Sequence, residues 1–312
     1  MLKNKVLKLS LFGCYLAGSF MASAAVSRSF AQTMPAHITN SKVPETDSQT
    51  KNSAVTLRYA VFVHGLHVLD AEGAYVLKPW GYGGNAHLKT VGLASWFLQL
   101  NISAQVEGRF DGTMAVPLDY KAHGLSRKKE RSVHIKFDDS GPHIVSLEPK
   151  DKERDPLPEA ELKHSIDMLS GLATLFQSLA VTGKCDLSGT LYDGLRLTHI
   201  EAHGPFADKV PDSHGSYYSG KEAQRCDFEG HQIAGFVKTS HHKDLLRRPQ
   251  PGKAWFLTLK DYGIVPVKIE FHHPKIGNVE MVMQSVPSSA KMDVPGKKGQ
   301  MTSPSEKPQT KP

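Results

Sequence analysis

One long amphipathic helix is predicted in a chain whose other segments are typical of short strands and turns. Residues 166–185 carry apolar side chains at the i, i+3, i+4 and i+7 spacing of a single helix face. Asp167 is expected to cap the start of this helix, and Gly183 is expected to end it. The predicted packing face of the helix consists of Leu169, Leu172, Ala173, Phe176 and Leu179.

The central region alternates apolar and polar residues in runs of strand length. Residues 98–107 (LQLNISAQVE) and 131–137 (RSVHIKF) are examples, and Asp193 followed by Gly194 is a two-residue hairpin signal. Roughly a dozen such runs in hairpin order predict a mostly β fold. We expect a rolled antiparallel sheet, as an open β-barrel or β-spiral, packed around the one main helix. The spacing of the runs does not distinguish a closed barrel from an open spiral.

The first 31 residues have the pattern of a secretory signal peptide. Lysines at positions 3, 5 and 8 precede an apolar run, and small residues offer cleavage after Ala24 or after Ala31. The alternative is a retained anchor helix, which needs roughly twenty uninterrupted apolar residues. The run is interrupted by glycines and serines, so we expect cleavage and export to the periplasm.

Composition divides the remaining chain into three parts. Residues 32–53 are polar and predicted to be a disordered linker, residues 54–284 to be the β-barrel-like domain, and residues 285–312 to be a disordered basic tail. The whole chain has a net charge of +7. The first 31 residues contribute +4 and the tail contributes +3, which leaves the region between them neutral. A neutral exported domain is not expected to bind nucleic acid, which requires a concentrated basic face.

Cys185 and Cys226 are the only cysteines outside the predicted leader. In an oxidising compartment, a lone pair of cysteines is expected to form a disulfide. A thiol nucleophile or a metal pair is the poorer alternative, because the spacing is not that of a CxxC motif and oxidation would disable either cysteine.

No catalytic motif is recognised, and no cofactor is predicted. Two SxxK matches, at residues 126–129 and 240–243, lie in polar segments without the partner motifs of serine–lysine enzymes. Glu270 and His272 would share one strand face and are the best pair of candidate metal ligands. Two ligands are fewer than a protein metal site uses, so no metal is predicted.

Several aromatic residues are candidates for an apolar ligand groove, with core packing as the alternative for most of them. A sheet too large for its single helix would leave room for such a ligand. The groove candidates are Trp80, Tyr82, Trp96, Phe97 and Trp255.

The order of several short motifs resembles the exported bacterial proteins grouped as domain of unknown function 3108. The matching pieces are Tyr59, Gly65, residues 108–109, 117–120 and 166–170, Cys185, residues 192–194, Cys226, residues 234–236, Trp255 and Pro266. This resemblance spans about residues 57–284 and implies no assigned activity. More distantly, the chain is similar to the envelope-integrity β-spiral proteins of Gram-negative alpha-proteobacteria, which are broken or spiral barrels with a disulfide and are not known as enzymes.

These observations predict a non-enzymatic periplasmic protein that supports cell-envelope integrity. It would bind a lipid-like apolar ligand or a protein partner, and its membrane association would be at most peripheral. The alternatives are a periplasmic hydrolase that acts on an envelope polymer and a periplasmic metal-binding protein.

Overall fold

The computed structural model describes residues 53–126, 128–150 and 153–292. The predicted leader, the linker up to residue 52 and the tail from residue 293 lie outside the described residues. Within them, the chain forms fourteen strands and four helices. The strands are β1 Ser53–Val63, β2 Leu66–Lys78, β3 Gly81–Thr90, β4 Leu100–Asp111, β5 Met114–Ser126, β6 Lys129–Asp138, β7 Gly141–Glu148, β8 Leu187–Tyr192, β9 Leu197–Lys209, β10 Glu222–Ala234, β11 Gln250–Leu259, β12 Gly263–His273, β13 Gly277–Met283 and β14 Ser288–Lys291. The helices are α1 Ala94–Phe97, α2 Glu159–Lys163, α3 Met168–Thr182 and α4 Lys243–Arg247.

All strands belong to one antiparallel sheet. Its order is β7-β6-β5-β4-β3-β2-β1-β13-β12-β11-β10-β9-β8, and β14 pairs with the first residues of β1. Almost every strand therefore pairs with its neighbour in sequence, as hairpin connections require. The pairing of β1 with β13 joins the N-terminal and C-terminal halves of the sheet. The mostly β fold with a large open antiparallel sheet is confirmed.

The sheet curls around α3. This helix contacts β3, β4 and β5 in one half of the sheet and β12 and β8 in the other half. Strands so far apart in the order can touch one helix only if the sheet bends around it. The curl also brings β6 close to the far end of the sheet, where Ile135 packs in one buried cluster with Tyr192, Leu197 and Ala234. The fold is thus a rolled sheet around one main helix.

Helix α3 begins and ends where the sequence predicts. The Asp167 side chain accepts a hydrogen bond from the backbone N–H of Ser170 at 2.9 Å, which satisfies a free N–H of the first turn. Gly183 ends the helix in the left-handed conformation, with φ of 70°. An L side chain disfavours this conformation, so glycine is suited to this position.

The predicted packing face is wrong at Leu172. Ala173, Phe176 and Leu179 are buried and Leu169 packs against a buried cluster, but the Leu172 side chain is 37% exposed. The physical reason is that polar residues occupy part of the buried face. These residues are Ser170, Thr174, Gln177 and Ser178. The hydrogen bonds of Ser170, Thr174 and Ser178 allow α3 to lie in a different rotation from the one that hydrophobicity alone favours.

The predicted domain end at Gln284 also needs correction. Strand β14 lies in the segment assigned to the tail, and it pairs with β1 from Thr56↔Ser288 to Ser53↔Lys291. Strand β14 thus pairs with the start of β1, and β13 pairs with the rest of β1 from Tyr59↔Met283 onward. The sheet therefore extends to Lys291. A short polar strand is hard to recognise in sequence, because its pairing partner lies more than 200 residues away.

Candidate functional site

The predicted disulfide is present. Cys185 and Cys226 are bonded, with their Cα atoms 6.0 Å apart, and both are fully buried. They pack with Phe176 and Leu179 of α3 and with Phe256 of β11. The bond thus ties the segment that leaves α3 to β10, beside the buried face of the helix.

The five groove candidates are not brought together. Tyr82 is buried against α3 with Val106, Ala115 and Ala173, whereas Trp255 belongs to a different cluster around β1 and β12. Trp80 lies in the β2–β3 turn, while Trp96 and Phe97 lie in the β3–β4 loop. The register places these connections at opposite ends of β3. The predicted aromatic groove is therefore not formed. Two of the five side chains lie in the core, and the other three are exposed.

The two candidate metal ligands, Glu270 and His272, each contact another side chain. Glu270 Oε1 lies 2.6 Å from Lys268 Nζ, and His272 Nδ1 lies 2.9 Å from Asn278 Oδ1. Across the described ranges, no group of three or more His, Cys, Asp or Glu side chains is arranged to hold a metal ion. Glu270 instead neutralises Lys268, whose side chain is buried beside the Trp255 ring.

A buried chain of hydrogen bonds joins α3 to β3. Ser170 Oγ donates to Asp167 Oδ2 at 2.5 Å, and the Tyr82 hydroxyl lies 2.6 Å from Ser170 Oγ. Burial raises the pKa of Asp167 to about 6 even though the hydrogen bonds from Ser170 oppose this shift. Burial also raises the pKa of Tyr82, and the Asp167 charge adds to that effect. All three residues are sealed from solvent, so their arrangement holds the helix in place and offers no access to a substrate.

Asp167→Asn is expected to change how stability depends on pH. The pKa of Asp167 is about 6 in the folded protein and near its ordinary value of 3.8 when unfolded. The folded state therefore binds the extra proton between these values, and the wild type loses stability as the pH rises from 4 to 7. Asparagine resembles the protonated acid and also caps helices. In urea unfolding, the variant should gain about 2 kcal/mol relative to the wild type between pH 4 and pH 7.

Asp138→Asn is the matched control for this titration. Hydrogen bonds from Ser140 lower the pKa of the exposed Asp138 carboxyl to about 2, so it stays ionised from pH 4 to pH 7. The Asp138→Asn profile should therefore run parallel to that of the wild type. A parallel profile for Asp167→Asn would show that Asp167 does not titrate in this range.

A row of alternating aromatic and cationic side chains crosses four strands. The register aligns Phe206 of β9, Arg225 of β10, Trp255 of β11 and Lys268 of β12. The Arg225 guanidinium lies 5.4 Å from the Phe206 ring centre, and Lys268 Nζ lies 5.7 Å from that of Trp255. These are distances at which a cation is attracted to a ring. The row therefore adds side-chain contacts between neighbouring strands beside the place where β10 and β11 separate.

Asp208 forms hydrogen bonds with the two central side chains of this row. It accepts hydrogen bonds from Arg225 Nη1 at 2.7 Å and from Trp255 Nε1 at 3.1 Å. The Arg225 hydrogen bond is the main reason that the pKa of Asp208 is lowered to about 2. The carboxylate thus remains charged at any physiological pH.

An open depression of about 720 Å³ lies where β10 and β11 separate. Their ladder ends at Gln224↔Phe256, although β11 continues to Leu259 and β10 starts at Glu222. The depression is lined by the apolar residues Ala223, Phe256, Leu257 and Leu259, by Tyr218, and by the polar or charged residues Lys221, Glu222, Gln224 and Thr258. This volume falls within the range of ligand pockets, which is roughly 300–1,000 Å³.

The depression exposes unpaired backbone. Residues 257–259 pair only with β12, and Glu222 and Ala223 pair only with β9. In an antiparallel strand, alternate residues direct their N–H and C=O groups to alternate sides. Each strand therefore directs main-chain groups into the gap, where no register pair joins β10 and β11 beyond Gln224↔Phe256. The sequence carries no sign of this feature, since it depends on where one ladder ends.

Comparisons with known proteins show no family. No family model matches the chain, so the resemblance to domain of unknown function 3108 is not confirmed, and no curated protein matches. Among solved structures, the chain is similar to a β-barrel-like protein of domain of unknown function DUF1849 from Brucella abortus. The identity is 14% and the TM-score 0.44, over 78% of this chain and 99% of the other. In the part of the chain that the structure describes, no helix is long and apolar enough to cross a membrane.

Proposed function

We propose that the protein is a non-enzymatic binding protein of the bacterial periplasm. In this proposal, it supports envelope integrity by receiving an extended polypeptide segment of a partner protein between β10 and β11. The observation that carries the proposal is the open depression at the end of the β10–β11 ladder, with its unpaired main-chain groups. An added strand would complete the hydrogen bonds that β10 and β11 leave open.

An extended polypeptide fits this depression better than a lipid-like ligand. An acyl chain would cover the main-chain N–H and C=O groups of the gap without bonding to them, and such burial is costly. A polypeptide supplies both donors and acceptors. Its side chains could in addition contact Leu257 and Leu259, while Lys221 and Glu222 lie within the same lining for polar contacts.

Export to the periplasm is supported by two observations. The buried Cys185–Cys226 disulfide is of the kind that persists in oxidising compartments. The leader pattern of the first 31 residues is that of a secretory signal. Cell fractionation after osmotic shock tests the location, and recovery of the protein with cytoplasmic markers would contradict it.

Filling the depression is expected to weaken peptide binding. Thr258 is exposed and lines the depression, so Thr258→Trp should occupy the space without disturbing the core. The measurement starts from a displayed library of random peptides selected against the wild-type protein. The affinities of the selected peptides are then measured against each variant. We expect Thr258→Trp to weaken binding at least about tenfold, which corresponds to about 1.4 kcal/mol.

Lys253→Trp is the matched control. Lys253 is exposed on the same strand, but it lies inside the intact ladder opposite Asp227. This variant should bind the selected peptides normally. Methylation of the peptide backbone nitrogens should also remove binding, because strand addition uses those N–H groups. Peptides that bind both variants equally would refute the proposal, as would selection of no peptide at all.

A further inference from the structure

The four most exposed large apolar side chains among the described residues lie at one end of the sheet. They are Leu66 at 66%, Leu93 at 70%, Trp96 at 76% and Phe97 at 90%. Leu66 begins β2, and the other three belong to the loop between β3 and β4. The Val91 N–H donates to the Val68 carbonyl at 3.1 Å, so the loop lies directly beside the start of β2. We call these four side chains the apolar tip.

The loop that carries the apolar tip is ordered by its own hydrogen bonds. Leu98 N–H donates to the Ala94 carbonyl at 2.8 Å, and Ser95 Oγ donates to the Gly92 carbonyl at 2.7 Å. At its base, Thr90 Oγ1 accepts from Leu100 N–H at 3.2 Å. Helix α1 has no buried residue. The exposure of Trp96 and Phe97 is therefore built into a folded turn, and a partner would not need to order the loop.

Basic side chains lie at the same end of the sheet. Lys89 is exposed near the end of β3. The register pairs Leu100 with Ser126, which places the β5–β6 turn, with the exposed Lys128 and Lys129, beside the base of the loop. The acidic residues nearby in the register are Glu130 and Asp70, which lies opposite Lys89 and also contacts His67. The three lysines outnumber these two acids, so the surroundings of the apolar tip favour an anionic surface.

We propose that the apolar tip docks the protein on an anionic lipid membrane surface. Trp96 and Phe97 enter the headgroup region, where aromatic side chains are favoured, and the lysines approach the lipid phosphates. A protein partner is disfavoured because stable interfaces bury roughly 800 Å² on each partner, usually around a central pocket. Four side chains on a short projecting turn offer less than this, whereas they suffice for shallow insertion into a bilayer. This docking is independent of the depression between β10 and β11.

The test compares vesicle binding by the wild type and by a double variant, Trp96→Ser with Phe97→Ser. The vesicles contain phosphatidylethanolamine and phosphatidylglycerol, and binding is measured by flotation. We expect the double variant to partition roughly tenfold or more weakly. The control is Val181→Ser with Tyr217→Ser, which removes two exposed apolar side chains outside the apolar tip. It should bind as the wild type does, and all three proteins should melt at the same temperature.

A second readout reports on Trp96 itself. Brominated lipids quench tryptophan only by contact, so the wild type should lose more fluorescence on vesicles than Trp96→Phe, which retains Trp80 and Trp255. This difference is independent of any contribution from the N-terminal segment, which all variants share. Absence of wild-type binding, equal binding by the double variant or equal quenching of Trp96→Phe would each overturn the proposal. Self-association through Trp96 without vesicle binding would assign the apolar tip to a protein interface.

Discussion

Leu179→Asp is expected to unfold the domain. Leu179 is 2% exposed and packs with Phe176, Phe256 and the disulfide. A carboxylate at this position would be buried without a partner while the apolar contacts are lost, at a cost of about 4 kcal/mol or more. That cost approaches the whole stability of a typical domain, which is roughly 5–15 kcal/mol. Urea unfolding followed by far-ultraviolet circular dichroism should show a lost or strongly shifted transition.

Leu172→Asp is the control that separates burial from hydrophobicity. Leu172 lies on the same helix, seven residues before Leu179, and its side chain is 37% exposed. We expect a change within about 1 kcal/mol, since surface substitutions cost little. If both variants unfold, the rotation of α3 in the structure is wrong. If neither does, the helix is not central to the fold.

Removal of the Cys185–Cys226 disulfide is expected to lower the free energy of unfolding by about 4 kcal/mol. The two cysteines are 41 positions apart, so the bond closes a long loop and restricts the unfolded chain strongly. The double variant Cys185→Ala with Cys226→Ala avoids leaving a single reactive thiol. Urea unfolding monitored by tryptophan fluorescence, to which the buried Trp255 contributes, measures the loss.

Reductant provides the internal control for the disulfide. Reduced wild type and the double alanine variant should unfold at similar urea concentrations, and reductant should not affect the double variant. Equal stability of oxidised and reduced wild type would contradict the role assigned to this bond. It would also weaken the case for export, because the disulfide is one of its two supports.

The two proposed binding surfaces lie at opposite ends of the strands. The register places the depression near the β11–β12 turn, and it places the apolar tip at the end that carries the β1–β2 and β12–β13 turns. Docking of the apolar tip on a membrane would therefore leave the depression open to the surrounding compartment. The peptide and vesicle experiments use different variants, so each surface can fail without affecting the other.

Features that depend on local interactions are predictable from the amino-acid sequence. The i, i+3, i+4 spacing, the Asp167 cap and the Gly183 terminus each involve residues within a few positions, so they identified α3 correctly. Its buried face was less predictable. Hydrophobicity favoured Leu172, but Thr174 is buried because its hydroxyl accepts a hydrogen bond from the Ala115 N–H of β5 at 3.0 Å. That contact joins residues 59 positions apart.

Periodicity, helix caps and turn residues act over short distances, so the mostly β class, the single main helix and the cysteine pair can be predicted from the chain. Only the folded chain shows where the β10–β11 ladder ends, that Tyr82 and Trp255 are buried, and that Leu66 lies beside the β3–β4 loop. These outcomes depend on strand register and on the curl of the sheet. Both arise from contacts between residues far apart in the chain, which no local pattern records.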